Sequence, residues 1–210
     1  MAVDASDFLP AQRDLEALRR AAQECRGCGL WEPATQTVFG EGPDDARMVL
    51  VGEVPGDRED REGHPFVGPA GRELDRALEA AGIDRRDVYV TNAVKHFKFE
   101  ERGKRRIHQK PSAKEIKACR PWLGAELDVI RPEALVALGA TAAKALLGNA
   151  FRLTAQRGQP LESELAPLVL ATIHPSAILR GSDSSSRQAQ RELLTADLQV
   201  VAEALARMSR

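Results

Sequence analysis

Apolar residues recur along this chain with two different periods, and their alternation outlines the fold. Leu15, Leu18, Ala21 and Ala22 share one face of a helix over 11–24, and Cys25, seven residues after Leu18, continues the stripe. "RMVLVGE" (47–53) is an apolar run of strand length that ends at Gly52. "AGRELDRALEAAG" puts Leu74, Ala77, Leu78 and Ala81 on one side and stops at Gly82, which predicts a helix. "DVYVTN" (87–92) is a second strand. Ser112 and Glu115 form a capping box for a helix that runs to about Pro121 or a little beyond. "ALVALGA" (134–140) is a third strand, followed by the alanine-rich helix of "TAAKALLG". "LVLATIHP" (168–175) is a fourth, and Leu194, Leu198, Val201 and Leu205 mark a closing amphipathic helix. "GSDSSSRQ" (181–188) reads as a surface loop.

Strands apolar on both faces, alternating with helices, predict a three-layer α/β/α sandwich around a central four-stranded, mainly parallel sheet. No linker or repeat divides residues 1–210, so one domain is expected. In such sheets ligands bind beyond the carboxyl ends of the strands. That rule singles out four places: from Glu53, Asn92, Gly139 and His174 onward.

Composition narrows the class. The 210 residues are 43% hydrophobic with a net charge of -1, which suits a globular chain rather than a disordered tail. No apolar run approaches the roughly 20 residues that cross a bilayer. The acidic N-terminus lacks an apolar signal core, so a cytoplasmic location is expected. Charge is uneven, however. Between Lys95 and Lys110 stand seven Lys or Arg against Glu100 and Glu101, with His108 inside "GKRRIHQKP" (103–111). Such a run is ordinarily a solvated loop, and it also suits a nucleic-acid clamp. The three cysteines, Cys25 and Cys28 in a C-x-x-C and Cys119 far away, argue against structural disulfides and fit redox or metal chemistry.

The densest signal is "GEVPGDREDREGHPFVGPAG" (52–71). It has five glycines, a carboxylate at a strand end and Phe66 among prolines and glycines. Glycine backbone after a strand can approach a ligand closely and offer N–H donors. No G-K-[ST] follows, so it is not a phosphate-binding P-loop. An elaborate turn is the bland alternative.

Together with "TQTVFGEGP", "TNAVKH" and "HPSAILR", in this order and at these spacings, that stretch resembles the uracil-DNA glycosylase superfamily, nearest to the iron–sulfur family 4 enzymes. The resemblance runs from Cys25 to about Arg180. The insertion "KRRIH" is similar to that of the X-type member, UdgX, which binds uracil-DNA covalently through the histidine of this motif. The resemblance implies that the protein excises uracil from DNA and is trapped on the abasic sugar C1′ through His108. A conventional turnover family 4-type enzyme and a non-catalytic iron–sulfur DNA-binding protein are the alternatives. Convergence of Glu53, Phe66, Asn92 and His174 speaks against a mere binding module. A histidine where a clamp needs only Lys and Arg speaks against plain turnover.

Each matched residue has a chemistry suited to its implied role. A flipped uracil needs an aromatic face, which Phe66 offers, and an amide with both donor and acceptor, which Asn92 offers. Val54, Gly56 and Asp57 belong to the implied uracil pocket. Val54 departs from the pattern, since X-type members typically have glutamine there and family 4 alanine. His174 suits a hydrogen bond to uracil O2 as charge builds on the leaving base, and Glu53 suits stabilisation of the cationic sugar. Glu53 is also a candidate to hydrogen-bond His108 and fix its tautomer. Neutral His108 at C1′ would capture the sugar in place of water. Lys95, Lys104, Arg105, Arg106 and Ser176 are implied to hold DNA or the insertion loop (97–111), with Asp57 and Arg106 as loop supports. His96 stands where family 4 has its third cysteine. The resemblance therefore implies a 4Fe–4S cluster on Cys25, Cys28, His96 and Cys119, with segment 25–28 as its N-terminal part; a structural zinc ion is the alternative, and Cys119 could be simply a buried apolar residue. Uracil-containing DNA, preferably single-stranded, is the expected partner of a monomeric protein, because flipping costs less from a single strand.

Overall fold

The computed structural model describes residues 3–208. Four strands, β1 (Met48–Gly52), β2 (Val88–Asn92), β5 (Ala134–Leu138) and β6 (Leu168–Thr172), form one sheet in the order β2-β1-β5-β6, and every pairing is parallel. All twenty strand residues are buried, as expected of a sheet covered on both faces.

Alternate side chains feed two separate cores. Val49, Val51, Leu135 and Ala137 pack with Leu18 of α1 (Leu15–Ala22), Trp122 and Leu123 of α4 (Ala113–Ile130) and Ala142 of α5 (Ala140–Leu147). Leu50, Val90, Val136 and Leu170 pack with Leu74 and Leu78 of α3 (Pro69–Ala80), and with Leu194 and Leu198 of α8 (Ser184–Met208). The three layers match the sequence expectation. Because every strand points the same way, Gly52, Asn92, Leu138 and Thr172 end along one edge, and the segments that follow them share that edge.

Three local readings need correction. The helix expected to stop near Pro121 runs on to Ile130, since burial of Trp122, Leu123 and Leu127 outweighs the missing N–H of one proline. The expected surface loop at 181–188 contains the start of α8, where Asp183 Oδ1 accepts from Ser186 N–H at 2.7 Å and caps the helix. The expected insertion loop is an antiparallel hairpin, β3 (Phe99–Arg102) and β4 (Arg105–His108). Its two-residue turn begins with Gly103 at φ 60°. Between β1 and α3 the glycine-rich stretch also contains a short helix, α2 (Asp57–Glu62). No helix among the described residues is long and apolar enough to cross a membrane.

Candidate active site

A cleft of about 940 Å³ opens over the carboxyl edge of the sheet. It is lined by the segment after β1 (Glu53, Val54, Gly56, Asp57), by Phe66 and Asn92, by His108, and by His174 and Ser176. These sequence-predicted residues therefore meet in one place, although they span more than half the chain.

Its floor is set by a glycine. A side chain at Gly52 would collide with Asn92 Oδ1 and come within 2.7 Å of Phe66 Cζ, so only glycine at the end of β1 lets these two groups approach each other. Asn92 is buried, yet its amide makes no hydrogen bond to the described residues; an unpaired amide facing a cleft is built to meet a ligand. Phe66 is held at φ 60°, a conformation that costs a non-glycine residue energy and persists only where its surroundings impose it. Two of its neighbours impose it. The backbone of α3 lies so close that any side chain at Gly71 would collide with Phe66 O. Gly68 N–H donates to the buried carboxylate of Glu59 at 2.8 Å. Rings of Phe66 and His174 lie 6.2 Å apart at 30°, so an aromatic face and an imidazole border the same space.

The tautomer of His174 follows from its contacts. Ser176 N–H, which can only donate, points at His174 Nδ1 (3.2 Å), and Ser176 Oγ lies 2.8 Å from the same nitrogen. Arg180 Nη1 donates to Ser176 Oγ at 2.9 Å. Nδ1 is thus an acceptor, and a neutral His174 carries its proton on Nε2. Burial, reinforced by Arg180 and His108, pushes its pKa down to about 4, so the ring is neutral at physiological pH.

Across the cleft, Glu53 Oε1 is buried and has no hydrogen-bond partner among the described residues. A carboxylate oxygen facing a cleft in this way is available to accept from a donor that enters it. His108 ends β4 at the rim; part of its surface meets solvent, while its ring lines the cleft and lies 6.1 Å from that of Phe97. Loss of hydration lowers its pKa, Glu53 pulls the other way, and Arg180 and Lys110 add to the lowering. The expected hydrogen bond from Glu53 to His108 is not made. The hairpin holds the imidazole at the rim, where it senses the carboxylate only through space.

Arg106 anchors that hairpin. Its Nε donates to Asp57 Oδ1 (2.5 Å), and its Nη1 donates to Asp60 Oδ2 (2.6 Å) and Thr35 Oγ1 (3.2 Å). The guanidinium also lies over the rings of Phe97 and Phe99, 5.3 and 5.0 Å from their centroids. Arg106 and Asp57 thus support the loop, but the charge of Arg106 is neutralised within the protein and offers nothing to a DNA phosphate. Lys104 and Arg105 are exposed at the tip, where a polyanion can reach them. Lys95 corrects the expectation of a DNA contact outright: it is fully buried, with Nζ bound to Glu126 Oε2 at 2.5 Å. Val54 is buried and supplies apolar wall. Sequence reading missed Glu59, Lys110 and Arg180, which also line the cleft. Glu59 had no distinguishing signal among the four acids of "DREDRE", and Lys110 and Arg180 read as ordinary surface cations.

Cys25 and Cys119 lie in one hydrophobic core with Cys28 packed against it, and His96 follows Lys95 on the segment after β2. Cys119 Sγ accepts from Lys95 N–H (3.3 Å), and Cys25 Sγ accepts from Trp122 Nε1–H (3.2 Å). Burial pushes the Cys119 thiol up to about 12 and raises that of Cys28. Thr37 Oγ1 donates to Ala22 O (2.8 Å), so His96 Nε2–H donates to Thr37 Oγ1 (2.8 Å) and Nδ1 keeps its lone pair. Burial lowers the His96 pKa to about 4, which keeps the ring neutral, as a metal ligand must be. Among the described residues, no three His, Cys, Asp or Glu side chains surround a point that would hold a single metal ion.

Residues 39–199 match the family model described as the uracil DNA glycosylase superfamily. The chain is 38% identical to a type-4 uracil-DNA glycosylase of Thermotoga maritima over 83% of its own length and 88% of the relative's. A type-4 enzyme of Sulfurisphaera tokodaii is 36% identical, over 79% and 76%. One of Pyrobaculum aerophilum is 34% identical, over 80% and 85%.

Proposed function

The chain belongs to the uracil-DNA glycosylase superfamily, and from that premise we propose that it excises uracil from DNA and is then held covalently on the abasic sugar through His108. One observation carries the covalent step: an imidazole whose pKa is lowered ends the anchored hairpin at the mouth of the same cleft that holds Phe66, Asn92 and His174, where a buried carboxylate oxygen of Glu53 has no hydrogen-bond partner among the described residues.

The chain of events follows from these groups. Phe66 stacks on the flipped base, while the Asn92 amide pairs with the O4 and N3–H edge of uracil, a pattern that cytosine does not present. As the C1′–N1 bond breaks, its electron pair leaves with uracil, and His174 Nε2–H hydrogen-bonds to O2 where the negative charge develops. Glu53 stabilises the positive charge on the sugar. A lone pair of the His108 imidazole then forms the new bond to C1′, and the proton on its other nitrogen passes to Glu53 or to solvent. Imidazole is a poor leaving group from C1′, so turnover stops there. Lys104 and Arg105 at the hairpin tip, with the Ser176 turn, would meet the phosphates. Single-stranded DNA is the preferred substrate in this reading, because its bases are already unpaired.

Cys25, Cys28, His96 and Cys119 fit a 4Fe–4S cluster. Two sulfurs already receive N–H bonds of the kind that tune cluster thiolates, and the His96 lone pair is unprotonated. Zinc, held by the same four side chains, is the alternative metal. Bound there, it would tie α1, the Lys95 segment and α4 together. In this reading its role would be structural.

The type-4 relatives favour a second reading, in which water attacks C1′ and His108 only touches DNA. Digestion of the reacted protein and mass spectrometry of its peptides separates the two. Capture predicts a deoxyribose-bearing adduct on the peptide that contains His108; no adduct, with uracil released, would establish turnover.

A further inference from the structure

A charged pair lies beneath the Asn92 end of β2. Lys95 and Glu126 are both 0% exposed. Lys95 Nζ donates to Glu126 Oε2 (2.5 Å), Thr91 Oγ1 (2.6 Å) and Asn92 O (2.9 Å). Glu126 Oε1 accepts from Tyr89 OH and Thr91 Oγ1, each at 2.9 Å, and from Gly40 N–H at 3.1 Å. Stability does not explain such a pair, because desolvation cancels most of its attraction and apolar replacements are often no worse. The need for it lies in the contacts it makes.

β2 is an edge strand. Its outer side is covered by an isolated bridge between Glu41 and Val90. Past that bridge, at Thr91 and Asn92, the ammonium of Lys95 stands where a neighbouring strand would be. The Asn92 side chain has no hydrogen bond of its own among the described residues, so its aim depends on its backbone and on the bare Cα of Gly52 opposite. We infer that the Lys95–Glu126 pair is a positioning device for Asn92, fixing the peptide that carries the amide so that it meets the uracil edge. This rests on Asn92 reading the base, as proposed above.

Single-turnover rates on a uracil oligonucleotide test it, together with thermal midpoints, for four proteins: Asn92→Ala, Lys95→Met/Glu126→Gln, the triple variant and wild type. The double variant removes both charges, and the amide oxygen it introduces at position 126 can still accept from Tyr89, Thr91 and Gly40. We expect it to react about tenfold or more slowly while melting near wild type, and adding Asn92→Ala to it should cost little further, since both changes remove one function. A double variant as fast as wild type, or losses that multiply in the triple, would overturn the inference. Should Asn92→Ala react at the wild-type rate, the reading of Asn92 itself is what fails. Thr91→Val keeps the ion pair and removes the hydroxyl that holds Nζ beside Asn92 O. It should fold and react several-fold more slowly, and an unchanged rate there counts against the inference even if the double variant does not fold.

Discussion

Arg106 and Asp60 meet at 2.6 Å, Nη1 to Oδ2, across 46 residues of sequence, and this pair fastens the His108 hairpin to the wall of the cleft. Asp60 is fully buried, so Arg106→Ala strands a charge and is expected to destabilise the protein by about 3–5 kcal/mol. Arg106→Ala/Asp60→Asn removes both charges and should recover much of that loss. The double variant should still release uracil but form adduct about tenfold more slowly, because His108 is no longer held at the rim. Denaturant midpoints and the two rates check this. Adduct formation at the wild-type rate would show that the anchor is irrelevant to capture.

The hydrogen bonds to His174 predict a neutral donor with an unusual pH range. Its pKa is about 4 in the folded protein against 6.5 ordinarily, so between these values the unfolded chain binds a proton that the folded chain does not. Its contribution to stability is therefore complete above pH 6.5 and is lost as pH falls toward 4. Uracil release by a His108→Ala variant should stay flat down to about pH 5. Adduct formation in the wild-type protein should hold through the ordinary imidazole range and weaken only at lower pH, since loss of hydration lowers the pKa of His108. His174→Ala should slow uracil release by about 100- to 1,000-fold, the usual loss for one well-placed donor.

Phe66 can be tested in two ways. Phe66→Ala should weaken binding of uracil-DNA by about 1–3 kcal/mol, the value of one stacked base. Gly71→Ala leaves the ring in place but forces a methyl against Phe66 O, so it should lower stability by about 1–3 kcal/mol and slow uracil release as well. An unaffected Gly71→Ala protein would mean that the left-handed turn at Phe66 is not required.

Iron and acid-labile sulfide should be present in equal amounts in protein purified without oxygen. Cys119→Ala should remove both and lower the thermal midpoint. Reloading the stripped protein should release protons, since burial holds the Cys119 thiol near 12 until a metal displaces its proton. Elemental analysis that finds zinc instead would refute the cluster.

The sheet was legible because β1, β2, β5 and β6 are apolar on both faces and need no partner information to be recognised. The cleft followed, since Glu53, Asn92 and His174 stand at or just past strand ends. The hairpin was not legible: "FEER" and "RRIH" carry only one apolar residue each, Phe99 and Ile107, and their placement depends on Arg106 reaching Asp57 and Asp60, which no local pattern encodes. Lys95 failed for the opposite reason. A lysine within a basic run reads as solvated, and only the fold brings Glu126, thirty-one residues on, beneath it.

The most direct test of covalent capture is a denaturing gel of the protein with a labelled single-stranded oligonucleotide carrying one uracil, run beside His108→Ala and a thymine control. Capture predicts a heat- and SDS-stable shifted band for the wild-type protein with uracil only, and alkali-labile abasic strands without a shift for His108→Ala. Alkali-labile strands without a shifted band from the wild-type protein would contradict it and leave a conventional turnover glycosylase.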